Sequence, residues 1–237
     1  LEPLRHCLAE LGLNVVMPIG KAAFDEACAP VSQLRMSALR PTGQSAWLIG
    51  SGGRLFFDRF LAATGGADGR PHPLDRFTRA EVEAVVGQAL DSSIGHGLWY
   101  PFTQAQPALP FQRLGRAAGL GLPGPLGIQI HPVFGPWWAY RALLILDVAV
   151  PEQPAVGDGC AGCDAPCVAA CPGGAVARDG FVYVACRAHR LEDPACHFGC
   201  QARSRCIRGP EQRYSARQLA YHMAASMPRA DAQLRKP

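Results

Sequence analysis

Eight of the ten cysteines lie between residues 160 and 206, and they are the residues best suited to do chemistry. Thiolates bind zinc and iron–sulfur clusters, and paired thiols form disulfides. The first four read C-x2-C-x3-C-x3-C-P, and the other four follow at wider intervals. The pattern therefore indicates a metal centre or a cross-linked loop. The eight residues are Cys160, Cys163, Cys167, Cys171, Cys186, Cys196, Cys200 and Cys206.

The spacing of the first four cysteines differs by one added residue from the C-x2-C-x2-C-x3-C-P run that binds 4Fe–4S clusters in bacterial ferredoxins. Three closely spaced thiolates can surround one face of a cuboidal cluster. The fourth, Cys171 before Pro172, points away from it and serves a second cluster. Because four more cysteines follow, the spacing predicts two 4Fe–4S clusters on eight ligands.

Three other interpretations of this segment stay open. Disulfides would suit a small secreted domain. Structural zinc commonly uses paired C-x2-C knuckles, of which Cys160 and Cys163 form the only one here. One cluster with spare thiols is the third. Cys7 and Cys28 lie on predicted helices outside the segment, and we expect them to be buried or partly buried free thiols.

The elements that must position these cysteines follow from hydrophobic periodicity and from start and stop residues. Capping-box patterns, Thr78 with Glu81 and Ser215 with Gln218, predict two helix starts. Together the elements predict an α+β domain with a cysteine-rich insertion ahead of its last helix. Helices are predicted over residues 2–11, 54–63, 78–90 and 215–227, and another helix is predicted to end at residues 119–121. Strands are predicted over residues 14–17, 46–49, 127–130 and 137–149.

Composition excludes several classes of function. The chain has 237 residues, 49% of them apolar, a formal charge of +4 and only two lysines. It has neither a basic run nor an aromatic–basic repeat, so no nucleic-acid partner is expected. No apolar stretch reaches the roughly 18 residues of a membrane span, and the amino terminus does not read as a secretory signal. We therefore expect a cytoplasmic protein that does not bind a membrane.

Several segments resemble two related groups of cobalamin proteins. Residues 118–121 (AGLG), residues 131–151 and the cysteine run resemble the core of epoxyqueuosine reductase and its relatives, which use cobalamin and two 4Fe–4S clusters. Residues 130–141 (IHPVFGPWWAYR), 55–60 (LFFDRF) and 211–221 (EQRYSARQLAY) resemble the CblC type of cobalamin-processing protein. That type removes the upper ligand of incoming cobalamins. The resemblance covers most of residues 45–225.

The resemblance implies an α+β fold in which a nitroreductase/flavin-reductase-like cobalamin-binding domain carries a ferredoxin-like two-cluster insertion. It implies domains over residues 1–152 and 153–209, with a C-terminal helix in 210–237 packing back on the first. One cluster would use Cys160, Cys163, Cys167 and Cys206, and the other Cys171, Cys186, Cys196 and Cys200. The cobalamin pocket would include Gly119, Gly121, Ile130, His131, Phe134, Gly135, Trp137 and Ala139. Arg213 matches a residue that contacts thiol or substrate.

The residue types agree with such a pocket. Gly119 and Gly121 allow close backbone approach to a flat macrocycle, and Gly135 is expected to do the same in a turn. Phe134 and Trp137 offer apolar faces to it. His131 is expected near the cofactor, without a role as a cobalt ligand.

Two departures from the reductase pattern bear on function. The place of its catalytic acid, about Ala105, holds no acid, and the chain ends at Pro237, ahead of the long repeat domain associated with tRNA. We therefore expect an oxidoreductase of the processing type, which reduces base-off cobalamin for upper-ligand removal or activation and receives electrons from an external low-potential donor.

Two alternatives have different functions. One is a cobalamin-dependent reductase of a small organic substrate, related to epoxyqueuosine reductase or reductive dehalogenases, with Tyr100 or Tyr140 as proton donor. The other is a ferredoxin-like electron carrier without a corrinoid.

Overall fold

The computed structural model describes residues 1–32, 34–66, 69–103, 108–151, 157 and 159–226. The chain forms two compact units. The sheet unit comprises Leu1–Gly121 and Trp138–Gly157, and the cysteine unit comprises Leu122–Trp137 and Asp158–Pro237. Residues 122–137 and the last helix thus group with the cysteines, whereas the sequence predicts boundaries after residues 152 and 209. The predicted three domains stay a prediction.

The sheet unit is a four-stranded antiparallel sheet, in the order β1-β2-β4-β3, with six helices among its described residues. The class predicted from the sequence, α+β, is confirmed. The strands are β1 Val15–Gly20, β2 Ser45–Gly52, β3 His96–Trp99 and β4 Trp138–Leu146. The helices are α1 Glu2–Glu10, α2 Lys21–Ser32, α3 Met36–Leu39, α4 Leu55–Thr64, α5 Pro73–Ala89 and α6 Phe111–Ala117.

The centre of the sheet is buried on both faces. Every residue of β2 is buried, which explains its nearly continuous run of apolar residues. A bulge interrupts its pairing with β4, because Ile49 lies opposite Ala142 and Gly50 lies opposite Tyr140. The extra residue is Arg141, which is buried and donates from Nε to Ser51 Oγ at 2.8 Å. The bulge thus gives a buried cation a partner inside the sheet.

One predicted capping box is wrong and the other is confirmed. Helix α5 begins at Pro73, since proline is preorganised for the first helical position. Thr78 therefore lies inside the helix, where its hydroxyl donates to the Leu74 carbonyl at 2.8 Å. At the other helix, Ser215 Oγ accepts from the Gln218 amide at 3.1 Å, as predicted.

The cysteine unit has short elements around a small core. Its core joins Ala165, Cys167, Val176 and Ala202, and other cysteines pack against it. The predicted strand over 127–130 is wrong, because only an isolated bridge from Gln129 to Pro123 forms there. The elements are α7 Pro166–Ala169, β5 Val176–Ala177, β6 Gly180–Phe181, α8 Tyr183–Glu192, α9 Gln201–Ser204 and α10 Ala216–Ala225. Within the described part of the chain, no helix is long and apolar enough to cross a bilayer.

Candidate metal centre

The first cysteine group lines a cavity of about 600 Å³ in the cysteine unit. Three of its members come from the first half of the cysteine segment, and the fourth lies at the end of the segment. Loops over residues 122–127 and 178–181 supply other parts of the wall. The group consists of Cys160, Cys163, Cys167 and Cys206.

The second cysteine group lines a smaller cavity of the same unit. Helix α8 and Met223 of α10 form part of its wall. Cys171 belongs to this group although it ends the closely spaced run that supplies the first. The structure therefore sorts the eight cysteines into the same two sets of four that the resemblance implies. The second group consists of Cys171, Cys186, Cys196 and Cys200.

Two thiols in each group have a raised pKa, Cys167 and Cys206 in the first and Cys186 and Cys196 in the second. Burial, followed by the nearby Cys206, raises the pKa of Cys167 above its ordinary value. Burial, followed by Asp193, does the same for the pKa of Cys196. Four thiols around one cavity would repel one another if all were thiolates, and a cationic metal centre removes that cost by binding the deprotonated form. The donor set therefore fits an iron–sulfur cluster.

Backbone amides already point at one sulfur in each group. The Ala165 amide donates to Cys163 Sγ at 3.3 Å, and the Arg203 amide donates to Cys200 Sγ at 3.4 Å. Such bonds stabilise the thiolate form and tune the potential of a bound cluster. All ten cysteines lie within the described residues and all are free thiols, so the disulfide interpretation has no support there. Cys28 is buried and Cys7 is half-buried, as expected.

Two arginines hold the cysteine loops, the buried Arg190 and the partly buried Arg208, and neither role could be predicted from the sequence. Arg208 donates from Nε to the Gly159 carbonyl and from Nη2 to the Ala161 carbonyl, both at 2.7 Å. It thereby ties the chain after Cys206 to the loop of the first group. Arg190 donates from Nη2 to the Met223 carbonyl at 2.7 Å.

The same Arg190 also reaches the second group directly. It donates to the carbonyls of Ser226 at 3.1 Å and Cys196 at 3.3 Å. It therefore fixes the last turn of α10 to the loop of the second group.

Nearby, the ligand atoms of His189, Asp193 and Cys196 all lie within 4.8 Å of one another. The spacing of four residues between His189 and Asp193 could have indicated this trio, had helix α8 been predicted.

Five predicted cobalamin residues lie in the cysteine unit, and three of them form a tight loop. His131 and Gly135 exchange backbone hydrogen bonds of 2.9 and 2.7 Å. His131 Nδ1 accepts from the amides of Val133 at 3.1 Å and Phe134 at 3.3 Å. Burial lowers the pKa of His131 to about 4, which keeps this acceptor nitrogen unprotonated at neutral pH.

Gly135 packs closely against the chain itself. Its φ is +56°, and a Cβ there would lie 2.7 Å from the Arg208 carbonyl carbon and closer still to the oxygen. The close approach that requires glycine is thus to the chain two residues beyond Cys206. The need for glycine is therefore explained within the chain, and a contact of Gly135 with a macrocycle stays a prediction.

Trp137 is also occupied within its own unit. Its side chain is 1% exposed. The Arg203 guanidinium lies 5.0 Å from its ring, and the Tyr214 ring meets it edge-on at 5.5 Å. Ile130, likewise 1% exposed, lies against the backbone of Gly159. Trp137 therefore offers no free face to a macrocycle, contrary to expectation.

The other three predicted pocket residues lie in the sheet unit. Gly119 and Gly121 have φ of +80° and +93°, and Ala139 lies in β4. Gly119 ends α6 in a Schellman motif, in which its amide bonds to the Arg116 carbonyl and the next amide bonds to the Gly115 carbonyl. A local backbone reason thus accounts for Gly119, whereas the cofactor contact of Gly121 stays a prediction.

The remaining predicted residues have mixed outcomes. Arg213 Nη2 donates to the Cys206 carbonyl at 3.3 Å, so it lies beside the first group.

The two tyrosines considered as proton donors lie in different surroundings. Tyr100 is 4% exposed and donates to Glu83 at 3.4 Å, and burial together with that carboxylate raises the pKa of Tyr100. This makes it a poor proton donor, while Tyr140 is half-buried in β4. The stretch around Ala105 lies outside the described residues.

The fold is similar to two kinds of solved structure. Epoxyqueuosine reductase from Streptococcus thermophilus superposes with a TM-score of 0.51 at 14% identity, over 75% of this chain and 54% of that chain. An epoxyqueuosine reductase solved with an epoxyqueuosine-modified tRNA-Tyr stem loop gives 0.60 at 12%, over 96% and 70%. The B12-trafficking protein CblC from C. elegans gives 0.59 at 15%, over 95% and 92%.

These likenesses confirm at the level of fold the resemblance predicted from the sequence. At such low identities they show the fold alone. The chain spans about half the length of the S. thermophilus enzyme. No protein-family model and no curated protein matches it. One neighbour was solved with tRNA, so the expected lack of a nucleic-acid partner stays a prediction.

Proposed function

We propose that this chain is a cobalamin-binding iron–sulfur oxidoreductase that carries two 4Fe–4S clusters and reduces cobalamin for upper-ligand removal or activation. The observation that carries the proposal is the sorting of eight cysteines into two groups of four, each around its own cavity. Neither group is contiguous in sequence, so a chance cluster of thiols is a poor explanation.

The cysteines fit 4Fe–4S clusters better than zinc. Four thiolates per cluster and a fourth ligand taken from the other run are the pattern of two-cluster ferredoxins. The zinc alternative keeps one supporting feature, the trio of His189, Asp193 and Cys196, whose mixed donors suit zinc. Metal analysis separates the two.

Cobalamin is supported by two independent likenesses. Residues 118–151 resemble the cobalamin segments of both protein groups, and the fold matches 92% of the length of a B12-trafficking protein. We take the sheet unit as the nitroreductase-like domain and keep Gly121 and Ala139 of that unit as candidate contacts. His131 and Phe134, in the cysteine unit, stay predicted contacts, whereas Ile130 is as buried as Trp137.

The proposed groups would divide the chemistry between them. When bound, the clusters would supply single electrons at low potential, and the corrinoid would accept them. The chain's own part is to hold the sulfurs by the Ala165 and Arg203 amides and to fix their loops by Arg190 and Arg208. Burial of Cys167, Cys196 and Cys206 excludes water from the sulfurs.

The proposal is tested on protein purified without oxygen. We expect roughly eight iron and eight sulfide per chain, and spectral changes on titration with cob(II)alamin. With a reductant present, cyanocobalamin should lose its cyanide. Stoichiometric zinc without sulfide would exclude the clusters. Full iron without any corrinoid binding would leave the ferredoxin-like carrier as the function.

One observation favours a second candidate, the reductase of a small organic substrate. The cavity of the first group, about 600 Å³, lies in the size range of small-molecule sites and has Arg178 and Asp179 on its wall. Turnover of organic substrates by cobalamin-loaded protein, without loss of the upper ligand as the net reaction, would favour this candidate.

A further inference from the structure

An open groove of about 690 Å³ runs beside the second cysteine group. Its wall includes the partly exposed Cys200, together with Arg205, Ile207 and Arg213. All of these residues belong to the cysteine unit. The groove therefore brings a proposed cluster ligand, Cys200, to the surface of the protein.

Large apolar side chains are exposed at this surface. Ile207 is 54% exposed, and Phe198, two residues before Cys200, is 62% exposed. Ile207 lines the groove, and Phe198 directly precedes the lining residue Gly199 in the chain. Exposed apolar residues with a polar surround are characteristic of protein interaction sites. Exposed apolar side chains such as these can exclude water from a small contact with another protein.

The surround carries one sign of charge. Residues 196–217 contain five arginines and a single acid, Glu211. Three of these arginines donate hydrogen bonds inside the unit, Arg203 to the Pro136 carbonyl, Arg208 to the Gly159 carbonyl and Arg213 to the Cys206 carbonyl. Arg205 and Arg213 are exposed and line the groove. The groove therefore favours an acidic partner.

We propose that this groove is the docking surface for a small acidic protein that carries one electron, and that the second cysteine group is the entry point for electrons. The inference rests on the proposed function, since it requires a cluster at Cys200. In each encounter one electron leaves the reduced carrier and enters the protein at the second group, and no bond or proton is exchanged. Electron-transfer encounters bury little surface, and charge steers them.

Nucleic acid is the less favoured occupant. Binding a phosphate backbone takes several cations along a track, and the groove presents two. The exposed apolar pair Phe198 and Ile207 also suits a protein surface better than a phosphate chain.

The test uses the holoprotein and a reduced acidic 2Fe–2S ferredoxin as probe, mixed without oxygen in a stopped-flow instrument. Arg205→Glu should lower the second-order rate of reduction at least tenfold at low salt, because like charges then face the carrier. The wild-type rate should fall as salt rises, and the rate of the variant should not. Phe198→Asp should lower the rate as well. Arg59→Glu on α4 makes the same change of net charge at an exposed site and should keep the wild-type rate.

Controls separate failure of this inference from failure of the proposed function. Reduction by dithionite should be the same in all variants, and each should keep its iron and sulfide. Full iron with equal ferredoxin rates in wild type and Arg205→Glu would overturn the docking surface alone. Absence of iron from the wild type would overturn both. An RNA stem loop that blocks ferredoxin and binds wild type but not Arg205→Glu would assign the groove to RNA and overturn the inference.

Discussion

The first cysteine group lines a cavity of about 600 Å³ walled by glycine- and proline-bearing loops, whereas the second lines one of about 40 Å³ against helices α8 and α10. Each group has its own arginine, Arg208 for the first and Arg190 for the second. The first cavity is much the larger of the two, and in the second group Cys200 also borders the open groove of about 690 Å³. The contrast gives the first group the larger cavity and the second group a narrow cavity beside helices α8 and α10.

The largest effect expected comes from removing single cysteines. Cys167→Ala should lower iron from about eight to about four per chain, and Cys196→Ala should do the same while keeping the other cluster's electron paramagnetic resonance signal. Cys171→Ala should match Cys196→Ala, although Cys171 stands only four residues from Cys167. Cys7→Ala is the control and should keep all iron. If Cys171→Ala instead matched Cys167→Ala, the division into two groups would be wrong.

A second prediction concerns the glycine packed behind the first group. Gly135→Ala should displace the chain near Cys206 and lower the free energy of unfolding. Overpacking costs about 1–3 kcal/mol, in addition to the cost of placing alanine in a left-handed backbone conformation. Gly162→Ala is the matched control, because Gly162 has φ +66° and no atom within 4 Å of an added Cβ. Thermal melting and iron content measure the difference. Equal melting temperatures for the two variants would show that the Arg208 contact does not matter.

The arginines should act on one group each. Arg208→Met and Arg190→Met keep the apolar stem but remove charged hydrogen bonds worth about 1.5–3 kcal/mol each. We expect Arg208→Met to speed the loss of iron from the first cluster, and Arg190→Met to speed it from the second. The measurement adds an iron chelator and follows the decay of the two cluster signals. Each variant is the control for the other. A faster loss from both clusters in either variant would contradict separate clamps.

The smallest effect expected is a dependence of stability on pH near the first group. His131 has a folded pKa of about 4, against an ordinary value of 6.5, so the unfolded chain takes up the proton first as pH falls. Stability should therefore be full above pH 6.5 and decrease toward pH 4, by an amount of the order of 2 kcal/mol. His131→Asn keeps an acceptor for the two amides but does not titrate. Its melting temperature should depend less on pH between 7 and 5, and parallel curves would contradict the assignment.

The proposed metal-binding cysteines can be predicted from the sequence more readily than the residues of the proposed cobalamin pocket. Cysteine spacing is a local signal, and the grouping of all eight cysteines agrees with the pairing that the resemblance implied. Gly135 and Trp137 pack against the chain itself, and in a sequence a glycine or an aromatic residue looks the same whether it packs on a ligand or on the chain. Arg190 and Arg208 gave no signal, because their acceptors are backbone carbonyls, which every residue has.

The same limit applies to the elements. Ser215 was placed correctly as a cap, since a serine before an apolar run has few other roles. Thr78 was not, because Pro73 is an equally good start five residues earlier and buried threonines can bond within a helix. Helix α8 was missed, although it presents Cys186 and His189 to the second group.

The exchange of Cys171 and Cys206 between the groups sets an order of events during synthesis. The ribosome delivers all four sulfurs of the second group before Cys206, so this group is complete while the first still lacks a ligand. Its cover, the end of α10 held by Arg190, comes later, since Met223 follows Cys200 by 23 residues. At the usual speed of translation that interval is roughly 1–5 s. A nascent chain thus offers a full set of thiols before α10 covers part of them, and this is when iron and sulfide could enter the site.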